Sequence, residues 1–202
     1  MRNSKELIAA PTFRGSPMII LGVDPGTLVT GFGVIAAGSG RIDVLACGAI
    51  RNGGSTAMAL RLKLIFSSLA EVIEEFHPDE CAVETAFYGK NAQSALKLGQ
   101  ARGVVLLAAV QREIPICEYS PREVKKAIVG SGTASKEQVQ YMVKALLRLK
   151  EAPRPLDVSD ALAVALCHLQ RNQAGTQKAR SWKAFVAAHP DKVSPPRRMP
   201  AR

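Results

Sequence analysis

Four carboxylates in this chain occupy places where a carboxylate is hard to keep. Asp24 ends the apolar run MIILGVD, and Glu84 ends the short apolar run ECAVE. Asp157 and Asp160 stand three apart at the head of a long apolar segment, on neighbouring faces of a first helical turn. A lone ionised group at the end of a buried strand is costly unless a cation meets it. Three of the four have ordinary alternatives. Asp24 can open an Asp-Pro-Gly turn, Asp157 can cap a helix, and Asp160 can sit favourably against the helix dipole. Glu84 has no such excuse. If all four converge they repel one another unless divalent cations neutralise them, and oxygen-only ligands select hard ions, Mg²⁺ or Mn²⁺. Two such ions about 3.5–4 Å apart activate a water and stabilise the leaving oxygen of an in-line phosphodiester displacement. On that expectation Asp24 bridges both ions, Glu84 and Asp160 complete the separate coordination spheres, and Asp157 binds on the water side or orients the nucleophile.

The rest of the composition suits such chemistry. The 202-residue chain is long enough for one real core, and 47% hydrophobic residues with 5% aromatic fit a globular α/β protein. A formal net charge of +10 points to an acidic partner, nucleic acid first. The charge is concentrated at the ends. Residues 1–16 hold three basic residues against one acidic, 172–202 seven against one, and 17–171 seventeen against fifteen. Cys47, Cys81, Cys117 and Cys167 form no CxxC pair and show no zinc spacing with histidine, so they read as reduced, mostly buried thiols of a cytoplasmic protein. No stretch has the length and apolarity to span a bilayer, and 1–16 makes a poor signal peptide.

The elements that must position the acids follow from periodicity. Residues 18–24, 30–37 and 42–50 read as three strands in a meander, the second interrupted by Gly31 and Gly33. Residues 57–76 carry Leu62, Ile65, Leu69, Val72, Ile73 and Phe76 at helical spacing, and His77-Pro78-Asp79 stops them. A fourth strand spans 80–84, followed by a loop with Phe87, Tyr88 and Lys90. The helix predicted over 92–113 is apolar around most of its circumference from Val104 to Val110, so it needs cover on two sides; a second copy of the chain supplies one. A fifth strand, 114–119, leads to Ser120-Pro121, an N-cap and first-turn proline, and Ser135 with Gln138 forms a capping box. After the Pro153/Pro155 linker comes the last helix, 157–171. These elements predict an α/β fold, a five-stranded mixed sheet flanked by helices, with strands one and four adjacent and Asp24 beside Glu84 at one sheet edge. The domain expectation is a flexible extension over 1–16, the nuclease domain over 17–171, and a basic, disordered tail over 172–202.

Four stretches, VDPGTLVTGFGVI, VETAFYGKNAQSALKLGQARGVVLLAA, EYSPREVKKAIVGSGTASKEQV and DVSDALAVALCH, resemble the RuvC family of bacterial Holliday-junction resolvases, which has an RNase H-like fold. The resemblance runs nearly without gaps from Met18 to about Gln170. It implies that Asp24, Glu84, Asp157 and Asp160 are the catalytic acids and bind Mg²⁺, two ions per subunit, with Mn²⁺ as a substitute. Some relatives carry histidine at the third position; Asp157 makes this site all-oxygen. The resemblance further implies a homodimer that nicks a four-way DNA junction symmetrically, working beside the RuvA/RuvB branch-migration complex in recombination and repair. Phe87 matches an aromatic that stacks on unpaired bases at the junction centre, an interaction typically worth about 1–3 kcal/mol per base. Lys125 and Lys136 match lysines near the scissile phosphate, where they hold the phosphate and offset developing negative charge. Lys90 is a weaker DNA-binding candidate, with Lys97, Arg102 and Arg122.

Rival readings share the fold. An actin-like or sugar-kinase-like phosphotransferase also follows its first strand with an Asp-x-Gly turn, but needs two such domains. A YqgF-like nuclease acting on RNA lacks the Phe87 loop and the ALKLGQARG block. A DNA-binding module with a dead site would be natural if an acid were missing, and none is. The basic tail carries no motif beyond its charge; it either raises non-specific DNA affinity in a salt-dependent way or is unimportant, and the sequence does not decide between them.

Overall fold

The computed structural model describes residues 15–85 and 92–172 in full, and the backbone alone of residues 4–7 and 173. Among them six strands form one sheet: β1 (Ser4–Leu7), β2 (Met18–Asp24), β3 (Val29–Gly38), β4 (Arg41–Arg51), β5 (Glu80–Glu84) and β6 (Ile116–Tyr119). Their order is β1-β4-β3-β2-β5-β6. The first four in that order pair antiparallel, and β2–β5 and β5–β6 pair parallel. The five-stranded mixed sheet expected from the sequence is β2 to β6. The sixth strand is a difference: four residues of the segment read as a flexible extension pair with β4, Ser4 opposite Ala49 through Leu7 opposite Ala46.

Among the described residues five helices cover the two faces, α1 (Met58–Phe76), α2 (Ala92–Val110), α3 (Pro121–Val129), α4 (Lys136–Leu146) and α5 (Leu156–Gln173). The period-two alternation of the strands divides the core between them. Leu21 and Val23 of β2, Phe32 and Val34 of β3 and Val83 of β5 pack with Ile65, Leu69, Ala101 and Val105 of α1 and α2. Ile20, Ile35, Ala82 and Tyr119 point the other way and pack with Leu162, Leu166, Val139 and Val124 from α5, α4 and α3. Asp24 and Glu84 end β2 and β5 in the same phase as Ile20 and Ala82, so the alternation sends both carboxylates toward α5.

The helix termini follow their local chemistry. Ser120 and Ser135 each accept from the backbone N–H three residues on, and Glu123 and Gln138 accept in return from the two capping residues' own N–H groups. α1 ends at His77 in the left-handed region, its N–H donating to Ile73. Asp79 then ties the entry to β5 onto β2, its N–H donating to the Ile19 carbonyl and its carboxylate accepting from the Ile19 N–H, both at 2.8 Å.

The centre of the fold depends on three glycines that let α5 lie directly on the sheet. A Cβ at Gly22 would stand 2.2 Å from the Ala161 carbonyl oxygen, one at Gly31 1.9 Å from that of Asp157, and one at Gly33 2.5 Å from Leu162. Two of those contacts are with helix backbone, which cannot swing aside. The two glycines that interrupt β3 in the sequence therefore form the floor of a groove, with Gly22 of β2, for the helix that carries Asp157 and Asp160. Gly22→Ala should lift the first turns of α5 and destabilise the protein by about 1–3 kcal/mol or more, read as a lowered urea midpoint. A wild-type midpoint would mean that α5 does not sit in this groove.

Candidate functional site

The candidate site is built at the end of the sheet where β2 and β5 finish. Val23 is in register with Val83, so the next residues, Asp24 and Glu84, end adjacent parallel strands. Two bonds hold the turn after Asp24: the Thr30 hydroxyl donates to the Gly26 carbonyl at 2.7 Å and accepts from the Gly26 N–H at 3.3 Å. Thr30 is fully buried, and a Cβ on Gly26 would meet the Val29 carbonyl oxygen at 2.0 Å. The Asp-Pro-Gly turn is thus clamped rather than free to swing. At Glu84 the following residue, Thr85, donates its N–H to the Tyr119 carbonyl at 2.8 Å, continuing the β5–β6 pairing past the acid.

α5 brings the other two acids over this edge. The helix begins at Leu156, so Asp157 lies inside the first turn and is not its N-cap, contrary to the ordinary alternative weighed from sequence. Ser159 donates to the Pro153 carbonyl at 3.1 Å and Gln140 of α4 to the same oxygen at 2.8 Å, which anchors the linker and the helix start together. Asp160 is 8% exposed and buried against the sheet.

Electrostatics join the four acids into one group. The Asp24 carboxyl is raised well above the usual range, first by burial and then by the charges of Glu84 and Asp160, with Asp157 adding to them and Lys136 opposing. Glu84 is pushed up to about 7 by burial and by Asp160, against the pull of Lys136 and Lys125. Asp160 is raised by burial although Lys136 donates a hydrogen bond to it. That bond, from Nζ to Oδ2, is 2.5 Å long. Burial alone would lower the Lys136 ammonium; the bond to Asp160 and the charges of Asp160, Asp24 and Glu84 outweigh it and raise it. Four carboxylates against two nearby lysines leave a net negative pocket that resists full ionisation.

That donor set fits hard divalent cations: every group is a carboxylate, and ionising them together needs more positive charge than Lys125 and Lys136 supply. Among the described residues, no three histidine, cysteine or acidic side chains already close on a common point as ligands do. In this arrangement the Lys136 ammonium, bonded to Asp160, provides the local countercharge.

Of the residues singled out by sequence, Asp24, Glu84, Asp157, Asp160, Lys125 and Lys136 share this neighbourhood. Phe87 and Lys90 lie outside the described residues. Arg102 reaches Glu118 of β6 (2.5 Å and 2.7 Å), a bridge between α2 and the sheet edge that engages its guanidinium within the chain. Arg122 stands in the first turn of α3, and its side chain fills the space beside Gly132 in the loop after that helix. The sequence reading missed Thr30; a hydroxyl in an otherwise apolar strand, four residues after a turn glycine, was the available signal. It also missed Glu80, Tyr119 and His168, a buried polar group behind the acids. Cys47, Cys81 and Cys167 are buried and Cys117 partly so, all of them free thiols as expected.

Comparison with known proteins places this arrangement. Residues 20–168 match the family model described as crossover junction endodeoxyribonuclease RuvC. The crossover junction endodeoxyribonuclease RuvC of Chlorobaculum parvum is 48% identical over 184 residues, covering 86% of this chain and 98% of that protein. Its counterpart from Saccharophagus degradans is 53% identical over 151 residues, covering 75% and 87%. Among solved structures, Thermus thermophilus RuvC in complex with Holliday junction substrate superposes with a TM-score of 0.74 at 38% identity, covering 80% of this chain and 98% of that one. With the family model matching residues 20–168 and relatives about half identical over most of the chain, this chain belongs to the RuvC family of crossover junction endodeoxyribonucleases.

Proposed function

We propose that this chain is a Holliday-junction resolvase that binds four-way DNA junctions as a homodimer and introduces paired, symmetric nicks in recombination and repair. The observation that carries this reading is the convergence of Asp24, Glu84, Asp157 and Asp160 from β2, β5 and α5 on one sheet edge. Support comes from the Thermus thermophilus relative, whose solved complex contains a Holliday junction substrate. The four acids would hold two Mg²⁺ ions, with Mn²⁺ as a substitute. When bound, such ions supply a nucleophile at neutral pH and Lewis-acid stabilisation of the phosphodiester transition state.

The chain's own residues then have separable tasks. Asp24 and Glu84, fixed at strand ends by backbone pairing, set one side of the site. Asp157 and Asp160, fixed on α5 in the glycine groove, set the other. Lys136 yields its bond to Asp160 and turns toward the scissile phosphate, while the positive charge of Lys125 favours the ionised forms of Glu84 and Asp160. Phe87 stacks on bases at the open junction centre, and Lys90 meets the backbone beside it. Among the described residues no helix is long and apolar enough to cross a membrane. The proposed setting is the cytoplasm, beside the RuvA/RuvB complex.

The dimer reading has its own support. Leu96, Leu107 and Val110 of α2 are 71%, 50% and 41% exposed, on one stripe of a helix whose opposite side buries Ala101, Val105 and Ala108. The sequence asks for cover on two sides of this helix, and among the described residues it has cover on one. A second copy laid along the stripe would bring two sites to one junction. Leu107→Glu should convert the protein to monomers in sedimentation equilibrium and leave single, unpaired nicks; an unchanged dimer would move the interface elsewhere.

Asp24→Asn should keep junction binding and abolish cutting, compared by gel shift and by cleavage of the same labelled junction. Loss of binding by the folded variant would make the acids structural and remove the proposal. The pH dependence follows from Glu84. Its folded pKa is raised from the ordinary 4.5 to about 7, so the metal-free fold disfavours its ionised form. The metal-free protein should lose stability as pH rises from about 4.5 through about 7 and level off above. Glu84→Gln should recover roughly 1–3 kcal/mol at pH 8 and almost nothing at pH 4. Urea unfolding in EDTA at the two pH values measures it, and equal effects at both would show that the charge is not strained.

A further inference from the structure

Behind the acids, on the same face of the sheet, lies a second polar group that the nuclease chemistry does not use. The Tyr119 hydroxyl is 2.6 Å from His168 Nδ1, and His168 Nε2 bonds Glu80 Oε2. Asn172 donates to the same Glu80 oxygen at 2.7 Å. Tyr119 and His168 are each 1% exposed and Glu80 is 8% exposed. Burial works against a charged His168, yet its hydrogen bonds to Cys117 and Glu80 push it up to about 9. An imidazolium donating from Nδ1 to Tyr119 and from Nε2 to Glu80 satisfies this group at neutral pH. Arg171 lies over the Tyr119 ring at 5.3 Å and pairs with Glu123, the capping-box partner of Ser120 in α3, at 2.8 Å. The facing groups are thus Glu80 on β5, Cys117 and Tyr119 on β6, Arg171 and Asn172 on α5, and Glu123 on α3.

A buried ion pair adds little stability over well-packed apolar side chains, so its presence in an apolar core calls for a reason of geometry. The geometry is specific. His168 is eight residues along α5 from Asp160, about 12 Å. Glu80 is four residues along β5 from Glu84, about 13 Å. The helix and the strand are therefore cross-linked at the same distance from the acids on both elements. Tyr119 belongs to both ends of this frame: its side chain holds His168, and its carbonyl accepts from Thr85, the residue after Glu84. The glycine groove under Ala161, Leu162 and Ala165 fixes how close α5 comes to the sheet. Small apolar contacts do little to stop such a helix from turning or sliding. A turn of about 20° would move a side-chain tip about 2 Å, beyond the tolerance of about 0.5 Å that a reactive constellation allows.

We propose that the Tyr119–His168–Glu80–Asn172 cluster is a positioning device that fixes the rotation and axial setting of α5 on β5, and through them the placement of Asp157 and Asp160 against Asp24 and Glu84. A half-satisfied buried network is costly, so only one setting of the helix completes it. The inference rests on the metal-dependent nuclease reading and adds to it residues that touch neither metal nor DNA.

The test compares wild type, Glu80→Ala, Glu80→Gln and Tyr119→Phe. Two readouts are taken: Mn²⁺ binding without DNA, followed by electron paramagnetic resonance, and junction cleavage at saturating Mg²⁺. Glu80→Ala should weaken Mn²⁺ binding at least fivefold and slow cleavage, with junction affinity in EDTA within twofold of wild type. Glu80→Gln, which keeps the shape and an acceptor for Asn172, should recover most of the loss. If Glu80→Ala fails to fold, Tyr119→Phe decides, with a two- to threefold weakening expected. A folded Glu80→Ala, or in its place Tyr119→Phe, with wild-type Mn²⁺ affinity overturns the positioning role and leaves the nuclease reading intact. A wild type that binds no Mn²⁺ removes both.

Discussion

Four carboxylates forced into one partly dry corner repel each other, and the rest of the molecule is arranged around that repulsion. The corner exists because β2 and β5 are parallel neighbours in register, so two strand-end acids come side by side. It is closed because α5 crosses above them with two more. Burial and mutual charge raise Asp24, Glu84 and Asp160, and the Lys136 ammonium against Asp160 offsets only part of the excess. A fold that tolerates this arrangement stores a demand for cations, which is what a site for phosphodiester chemistry requires.

Tolerating it needs a rigid frame. Gly22 of β2 and Gly31 of β3 bring the α5 backbone at Ala161 and Asp157 directly onto the strands, so at those points the helix backbone, rather than a flexible side chain, sets the height of Asp157 and Asp160. The Thr30 clamp holds the turn after Asp24, and the Asp79–Ile19 pair fixes how β5 enters beside β2. Each of these contacts lies a few residues from an acid and touches its element rather than the acid itself. The polar cluster around His168 extends the same logic to the far end of α5.

Much of this was legible in the sequence because the signals are local. Short apolar runs bounded by turn signals located β2 to β6, serines with a partner three residues on marked two helix starts, and the clustering of acids at strand and helix ends pointed to one site. The sheet-wide adjacency of Asp24 and Glu84 followed from connectivity alone. What stayed hidden is pairing across distance. Glu80 and His168 are separated by 88 residues, and each looks ordinary in its own element. Gly31 and Gly33 were visible as interruptions of a strand, but their purpose depends on the backbone of a helix more than 120 residues away. β1 was invisible for another reason: Ser-Lys-Glu-Leu has no strand pattern, and its pairing with β4 follows from the open edge it meets.

The account is tested most directly by cleavage of a synthetic four-way junction beside a linear duplex of matching sequence, each with Mg²⁺ and with EDTA. Paired nicks in the junction that require Mg²⁺, with the duplex left whole, are the result expected if the four acids hold the ions and two copies of this RuvC-family chain act on one junction. Junction binding without cutting, across several junction sequences and with both Mg²⁺ and Mn²⁺, would contradict it.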